Sequence, residues 1–131
     1  MRTRHLALAA VFASALMAGP ALADDLMANT YANTVTTKNK ANGAGGTLLF
    51  NQDGTYSGTT AGPDGKPVSY TGKWSTKDDG KTLCLTVDAP PGGGPAPKPS
   101  CSPLSAHNVG DSWNVTNDLG DSYDVSLSAG R

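Results

Sequence analysis

The chain has 131 residues and two cysteines, and its 10 Lys and Arg residues nearly balance its 11 acidic residues, all of which are Asp. This length allows one domain with a modest core and excludes two separate cores. The small net negative charge, with no cluster of Lys or Arg, argues against nucleic acid and anionic membranes as partners.

Residues 1–23 have the pattern of a signal peptide. Two Arg residues precede an apolar run over residues 6–17, and the sequence Ala-Leu-Ala at residues 21–23 is a cleavage site of the A-x-A type. The apolar run is shorter than the roughly 20 residues that a membrane-spanning helix needs. An uncleaved anchor or a buried helix is the alternative. We expect cleavage to leave residues 24–131 in the periplasm or outside the cell, without a membrane span.

Residues 24–131 have the composition of a single all-β domain. Asp, Asn, Gly, Ser and Thr dominate the polar residues, and these types disfavour helix interiors. Asn-Gly and Asp-Gly turn signals recur at short intervals, and the runs between them are rich in Thr, Val, Tyr and Trp. We predict about eight strands, at residues 30–38, 46–51, 54–61, 66–75, 81–88, 101–109, 111–117 and 120–129.

Apolar and polar residues alternate along several of these predicted strands. Tyr70 and Trp74 share one face of their strand, and Leu83 and Leu85 share one face of the next. One apolar face is typical of an antiparallel sheet with one buried side. Eight such strands hide their edges when the sheet closes on itself. The sequence therefore predicts a small antiparallel meander barrel, with an open β-roll or a sandwich as the alternative.

Cys84 and Cys101 flank a segment rich in Pro and Gly at residues 89–100. An even number of cysteines in an exported protein indicates a disulfide. This disulfide would close a loop of about 18 residues and stabilise the fold by roughly 3 kcal/mol. A free thiol pair or half of a metal site is the alternative. Residues 89–100 predict a flexible surface loop, with a recognition loop for a proline-binding partner as the other interpretation.

No arrangement of residues points to catalysis, to a metal or to a cofactor. His107 is the single histidine after the predicted cleavage site, and no G-x-S-x-G motif precedes it. Nearly all Asp residues stand beside Gly or Ser in turn contexts, where their backbone role explains them. We therefore expect no catalytic or metal-ligating residues, no cofactor and no enzymatic activity.

Aromatic residues are the candidates for a binding site. In a larger barrel such residues line a ligand cavity, whereas in a small one they fill the core. The leading interpretation is a non-enzymatic binding module for a small apolar or amphipathic ligand, held at the barrel mouth near Trp74 and Trp113. The predicted ligand-binding residues are Tyr70, Trp74, Trp113 and Tyr123.

Several short motifs of the chain look familiar as a set. They are Asp53-Gly54-Thr55-Tyr56, Gly72-Lys73-Trp74, Leu83-Cys84-Leu85, Cys101, Gly110-Asp111-Ser112-Trp113 and Gly130-Arg131. With these motifs the chain resembles small secreted proteins of alphaproteobacteria that look lipocalin-like. The resemblance covers most of residues 24–131. It implies a small β-barrel with one disulfide, and it implies no activity and no catalytic residues.

A second likeness gives the alternative function. Residues 24–131 are similar in size, compartment and single disulfide to periplasmic inhibitors of secreted metalloproteases, which also use a barrel and act through an N-terminal segment. Residues 24–29 would be the corresponding segment here. The alternative is therefore a protease inhibitor or an envelope interaction protein that acts through its surface on a protein partner. The sequence does not assign an oligomeric state.

Overall fold

A computed structural model describes residues 25–62, 64–89, 92, 94–95 and 97–131. The predicted signal peptide at residues 1–23 lies outside these ranges, and within them no helix is long and apolar enough to cross a membrane. The described residues form eight strands: β1 (Thr34–Asn39), β2 (Gly45–Phe50), β3 (Thr55–Ala61), β4 (Pro67–Lys77), β5 (Thr82–Val87), β6 (Ser100–Pro103), β7 (Ser112–Thr116) and β8 (Ser122–Ser128).

All eight strands belong to one antiparallel sheet that curls into a nearly closed barrel. Their order is β6-β5-β4-β3-β2-β1-β8-β7. Strand β1 pairs on both sides, so that Val35 lies opposite Leu48 of β2 and Leu127 of β8. The last strands of the chain are thereby brought back to the first. The predicted all-β barrel is confirmed, and the structure is not the open roll or sandwich that we kept as the alternative.

Strands β6 and β7 are the two edges of the sheet, and we call the gap between them the seam. Two hydrogen bonds bridge the seam at one end. The Cys101 N–H donates to Asp118 Oδ1 over 2.9 Å, and the Asp118 N–H donates to the Cys101 carbonyl over 2.8 Å. These two bonds join β6 to the turn that follows β7, and they hold the barrel in its nearly closed form.

The predicted disulfide between Cys84 and Cys101 is confirmed. The two residues lie directly opposite each other in the β5–β6 ladder. Their neighbours Leu83, Leu85 and Ser100 face the interior of the barrel. Because side chains alternate between the two faces of a strand, the disulfide lies on the outer surface. It fixes the short edge strand β6 to β5, and such a bond fits an oxidising compartment.

One end of the barrel is closed by residues 25–33, which form successive turns. Met27 in this segment is 2% exposed and belongs to the same core cluster as Phe50. The guanidinium of Arg131 donates to the carbonyls of Tyr31 (3.0 Å) and Phe50 (3.3 Å), which fixes the segment to the end of β2. We call this end the closed end of the barrel.

Two predicted strands extend beyond an observed boundary by four or more residues. The first was predicted at residues 30–38 but begins at Thr34, because the preceding turns bury Met27 in the core. The sixth was predicted at residues 101–109 but ends at Pro103. The Leu104 N–H still donates to the carbonyl of Lys81 in the register of the β5–β6 ladder, but Lys81 precedes the first residue of β5, so β6 has no further strand to pair with.

Removal of the disulfide is expected to lower the free energy of unfolding by about 3 kcal/mol, because the unfolded chain gains the entropy of an open loop of about 18 residues. The test is urea denaturation of the wild-type protein and of the Cys84→Ser, Cys101→Ser double variant. Reductant should shift the midpoint of the wild type and leave that of the variant unchanged. A wild-type midpoint that ignores reductant would contradict the stabilising role.

Candidate functional site

The interior of the barrel contains a cavity of about 380 Å³. Small-molecule sites in proteins are commonly about 300–1,000 Å³, so this volume is at the lower end of that range. The interior is therefore not completely filled by side chains. Aliphatic and aromatic residues form its deepest part, and the buried lining residues are Met27, Val35, Leu48, Phe50, Tyr56 and Val125.

The cavity opens at the end of the barrel opposite the closed end. The exposed lining residues there are Val87, Lys98, Leu119 and Asp121, which we call the rim. The described lining residues include one lysine, Lys98, and one aspartate, Asp121, and both belong to the rim. The ionic groups therefore stand where water can solvate them, and the deeper walls are uncharged.

Two tyrosines and two glycines form a reciprocal arrangement on β3 and β4. Tyr56 lies opposite Gly72, and Gly58 lies opposite Tyr70. Each ring covers the glycine on the other strand: a Cβ atom at Gly58 would lie 2.5 Å from Tyr70 Cζ, and one at Gly72 would lie 2.5 Å from Tyr56 Cε1. The ring centroids are 6.2 Å apart, with an angle of 87° between the planes. The glycines thus let both rings lie against the wall instead of filling the interior.

The hydroxyls of Tyr56, Tyr70 and Tyr123 have no hydrogen-bond partner among the described residues, and all three side chains line the cavity. Burial, with smaller contributions from the phenolic group of Tyr70 and the carboxylate of Asp88, raises the pKa of Tyr56 to about 12. Burial also raises the pKa of Tyr70, with a smaller effect of Tyr123. At neutral pH the hydroxyls of Tyr56 and Tyr70 therefore keep their protons and can act as donors.

His107 and Trp113 form a second aromatic part of the cavity wall. Their rings are stacked with centroids 3.4 Å apart and an interplanar angle of 5°. His107 Nδ1 lies 3.8 Å from Asp111 Oδ2, and the same oxygen accepts the N–H of Asn108 over 2.8 Å. Burial lowers the pKa of His107, whereas Asp111 raises it by a smaller amount, so the imidazole is neutral at pH 7.

Among the described residues, neither a metal cluster nor a hydroxyl bonded to the ring accompanies this histidine. In the part of the chain that is described, no Ser or Thr hydroxyl bonds to the ring of His107. Within the same ranges, no group of three His, Cys, Asp or Glu side chains is placed to hold a metal ion. The absence of enzymatic activity stays a prediction from the sequence.

Three of the four predicted ligand-binding residues, Tyr70, Trp113 and Tyr123, line the cavity. Trp74 does not contribute to the lining. Its Nε1–H donates to the carbonyl of Asn51 over 2.8 Å, and its ring packs near those of Phe50 and Tyr31 at the closed end. A ligand in this cavity would therefore lie near Trp113 and away from Trp74. Ligand binding by Tyr70, Trp113 and Tyr123 stays a prediction.

Sequence reasoning did not select two residues of the site, Tyr56 and His107. A signal for Tyr56 was present, because it alternates with polar neighbours in the strand at residues 54–61. Its pairing with Gly72 depends on the register of β3 and β4, which alternation alone does not give. His107 had no comparable signal, since the contact with Trp113 is made by an irregular segment between β6 and β7.

The chain was compared with models of protein families, with curated proteins and with solved structures, and none of the three comparisons gave a match. The fold, the cavity and the groups that line it are therefore the observations from which a function has to be argued.

Tyr56 is expected to titrate at a pH of about 12 in the folded protein, against 10.0 for an unperturbed tyrosine. The unfolded chain releases this proton at the lower pH, so the free energy of unfolding should fall as the pH rises from about 10 to about 12 and be independent of Tyr56 below that range. The difference in near-ultraviolet phenolate absorbance between wild type and Tyr56→Phe measures the titration. A Tyr56 pKa close to 10 would contradict burial of this phenol.

The two glycines beneath the tyrosine rings are expected to respond differently to alanine. Gly72→Ala should lower the free energy of unfolding by about 1–3 kcal/mol, because its Cβ would lie 2.6 Å from the main-chain oxygen of Thr86, which cannot rotate away. Gly58→Ala should cost less, since its nearest contacts are side-chain atoms of Tyr70. Urea denaturation of both variants provides the comparison, and an equal or reversed order would be the contrary result.

Proposed function

We propose that this protein is a lipocalin-like, non-enzymatic binding module of the periplasm or the extracellular space, which holds one small apolar or amphipathic molecule inside its barrel. The observation that carries the proposal is the cavity of about 380 Å³, with apolar and aromatic deep walls and charged groups confined to the rim. This combination of apolar walls and a few polar groups is typical of small-molecule sites.

Binding draws its free energy from apolar surface that the ligand removes from water. Each square ångström of buried apolar surface contributes about 25 cal/mol, before the entropic costs of association. Most of the lining residues belong to strands that are paired in continuous ladders, so the site needs little rearrangement to accept a ligand. Leu119, which is 53% exposed, and Val87 on the rim give an approaching apolar molecule a first contact.

The proposed compartment is supported by two independent features. The disulfide between Cys84 and Cys101 fits an oxidising environment. The sequence of residues 1–23 has the charged start, apolar run and small cleavage residues of an export signal. A carrier in this location would meet its ligand in the envelope or in the medium.

The alternative, inhibition of a protease by residues 24–29, receives less support from the contacts of this segment. Met27 is 2% exposed in the barrel core. The side-chain amide of Asn29 donates to the carbonyl of His107 over 2.9 Å and to Asn108 Oδ1 over 3.1 Å. These contacts use the segment to close the barrel, and extraction of Met27 for a partner would cost the burial of its side chain.

The binding proposal is tested with N-phenyl-naphthylamine, an uncharged dye that fluoresces in apolar surroundings. We expect saturable binding of about one dye per protein. Gly58→Ala should weaken the binding by about tenfold or more, equivalent to 1.4 kcal/mol, because the new methyl group pushes the Tyr70 ring into the cavity.

The matched control is Val109→Ala, which changes an exposed residue that does not line the cavity. This variant should bind the dye as the wild type does. Absence of saturable binding to the wild type, or equal affinities of wild type and Gly58→Ala, would overturn the proposed function.

A further inference from the structure

The cavity wall carries three hydrogen-bond donors that nothing in the described part of the chain uses. Tyr56, Tyr70 and Tyr123 each present a hydroxyl, and these residues come from β3, β4 and β8. Tyr31, the other tyrosine of the described chain, differs from them: it lies outside the lining, and its hydroxyl bonds to Asp25 Oδ2 over 3.4 Å. The unpaired hydroxyls are thus a property of the cavity and not of tyrosines in this chain generally.

Tyr56 is 3% exposed, and no residue in the described ranges forms a hydrogen bond with its hydroxyl. Among the described residues, no side-chain nitrogen or oxygen is both sealed from solvent and without a partner. The unpaired Tyr56 oxygen must therefore retain accessible surface, and the space that this ring lines is the cavity. A ligand that displaces solvent from this hydroxyl would leave a buried donor without a partner, at a cost in free energy, unless the ligand itself supplies an acceptor.

The walls also determine the charge of a fitting molecule. The Lys and Asp of the lining, Lys98 and Asp121, stand on the rim, and His107 is neutral at pH 7. A carboxylate placed beside Tyr56 would lose its hydration without gaining a cationic partner, which is costly in an apolar site. The acceptor is therefore an uncharged oxygen, and a carbonyl oxygen can accept two hydrogen bonds at once.

On this basis we infer that the ligand is an uncharged aromatic or other planar ring compound with a carbonyl group, whose oxygen accepts hydrogen bonds from two of the three hydroxyls of Tyr56, Tyr70 and Tyr123. This inference rests on the proposed function and specifies the chemistry of its ligand. The planar shape follows from the walls, because the Tyr56 and Tyr70 rings lie against Gly72 and Gly58, and His107 is stacked on Trp113. Aromatic side chains favour offset-stacked or edge-to-face contacts with another ring.

The test uses displacement of N-phenyl-naphthylamine by three compounds of nearly equal size. Acetylnaphthalene carries the carbonyl, ethylnaphthalene lacks the oxygen, and naphthoate carries a negative charge. We expect the ketone to bind more tightly than the hydrocarbon by roughly two- to tenfold for each hydrogen bond formed, and the anion to bind most weakly.

Tyr-to-Phe variants identify the donors. Of the variants Tyr56→Phe, Tyr70→Phe and Tyr123→Phe, two should lower the affinity for acetylnaphthalene, and all three should leave that for ethylnaphthalene within about twofold, because only the ketone uses the hydroxyls. Tyr31→Phe is the control, since it removes a hydroxyl outside the cavity lining. It should not alter the ratio of the two affinities.

The outcomes separate this inference from the proposed function. If acetylnaphthalene and ethylnaphthalene bind equally well, or if the three cavity variants leave their ratio unchanged, the inference is wrong and the apolar binding site stands. Preferred binding of naphthoate would likewise overturn it. If neither the dye nor any of the three compounds binds to the wild type, both the inference and the proposed function fail.

Discussion

The ladder between β1 and β8 is the contact on which the other features of this molecule depend. It pairs Thr34–Asn39 with Tyr123–Ser128, and its first pair joins residues that are 94 positions apart in the chain. Without this pairing the hairpins would form an open sheet, and Val35 and Leu127 would face water instead of the core. The cavity, the closed end and the seam all exist because this ladder brings the last strands back to the first.

The empty volume inside the barrel has a specific local origin. An eight-stranded barrel has an interior just wide enough for side chains to fill it or for one small ligand. Here two inward positions are Gly58 and Gly72, and the rings of Tyr56 and Tyr70 lie over them. The rings thereby keep close to the wall, and the same arrangement leaves their hydroxyls without partners among the residues that the structure describes. Space for a ligand and donors for a ligand thus arise from one pair of neighbouring strands.

Sequence interpretation succeeded for features that local patterns indicate, and it failed for features that depend on contacts between residues distant in the sequence. The eight strands, the barrel and the disulfide were predictable, because alternation, turn residues and cysteine number are local signals. Alternation placed Tyr70 and Trp74 on one face, but it did not show that Trp74, about 13 Å further along the strand, reaches the closed end. The turns around Met27 and the stacking of His107 were also missed, since both depend on contacts with residues distant in the sequence.

The two hydrogen bonds between Cys101 and Asp118 across the seam also affect self-association. Exposed strand edges can template pairing with another chain, and β6 is such an edge. Main-chain groups two residues apart point the same way, so the Cys101 N–H and the nitrogen of Pro103 both face the seam. The Cys101 N–H is already bonded to Asp118, and the nitrogen of Pro103 carries no hydrogen. Strand β6 therefore offers no free main-chain donor to a strand of another molecule, and this edge of the sheet is a poor template for the growth of aggregates.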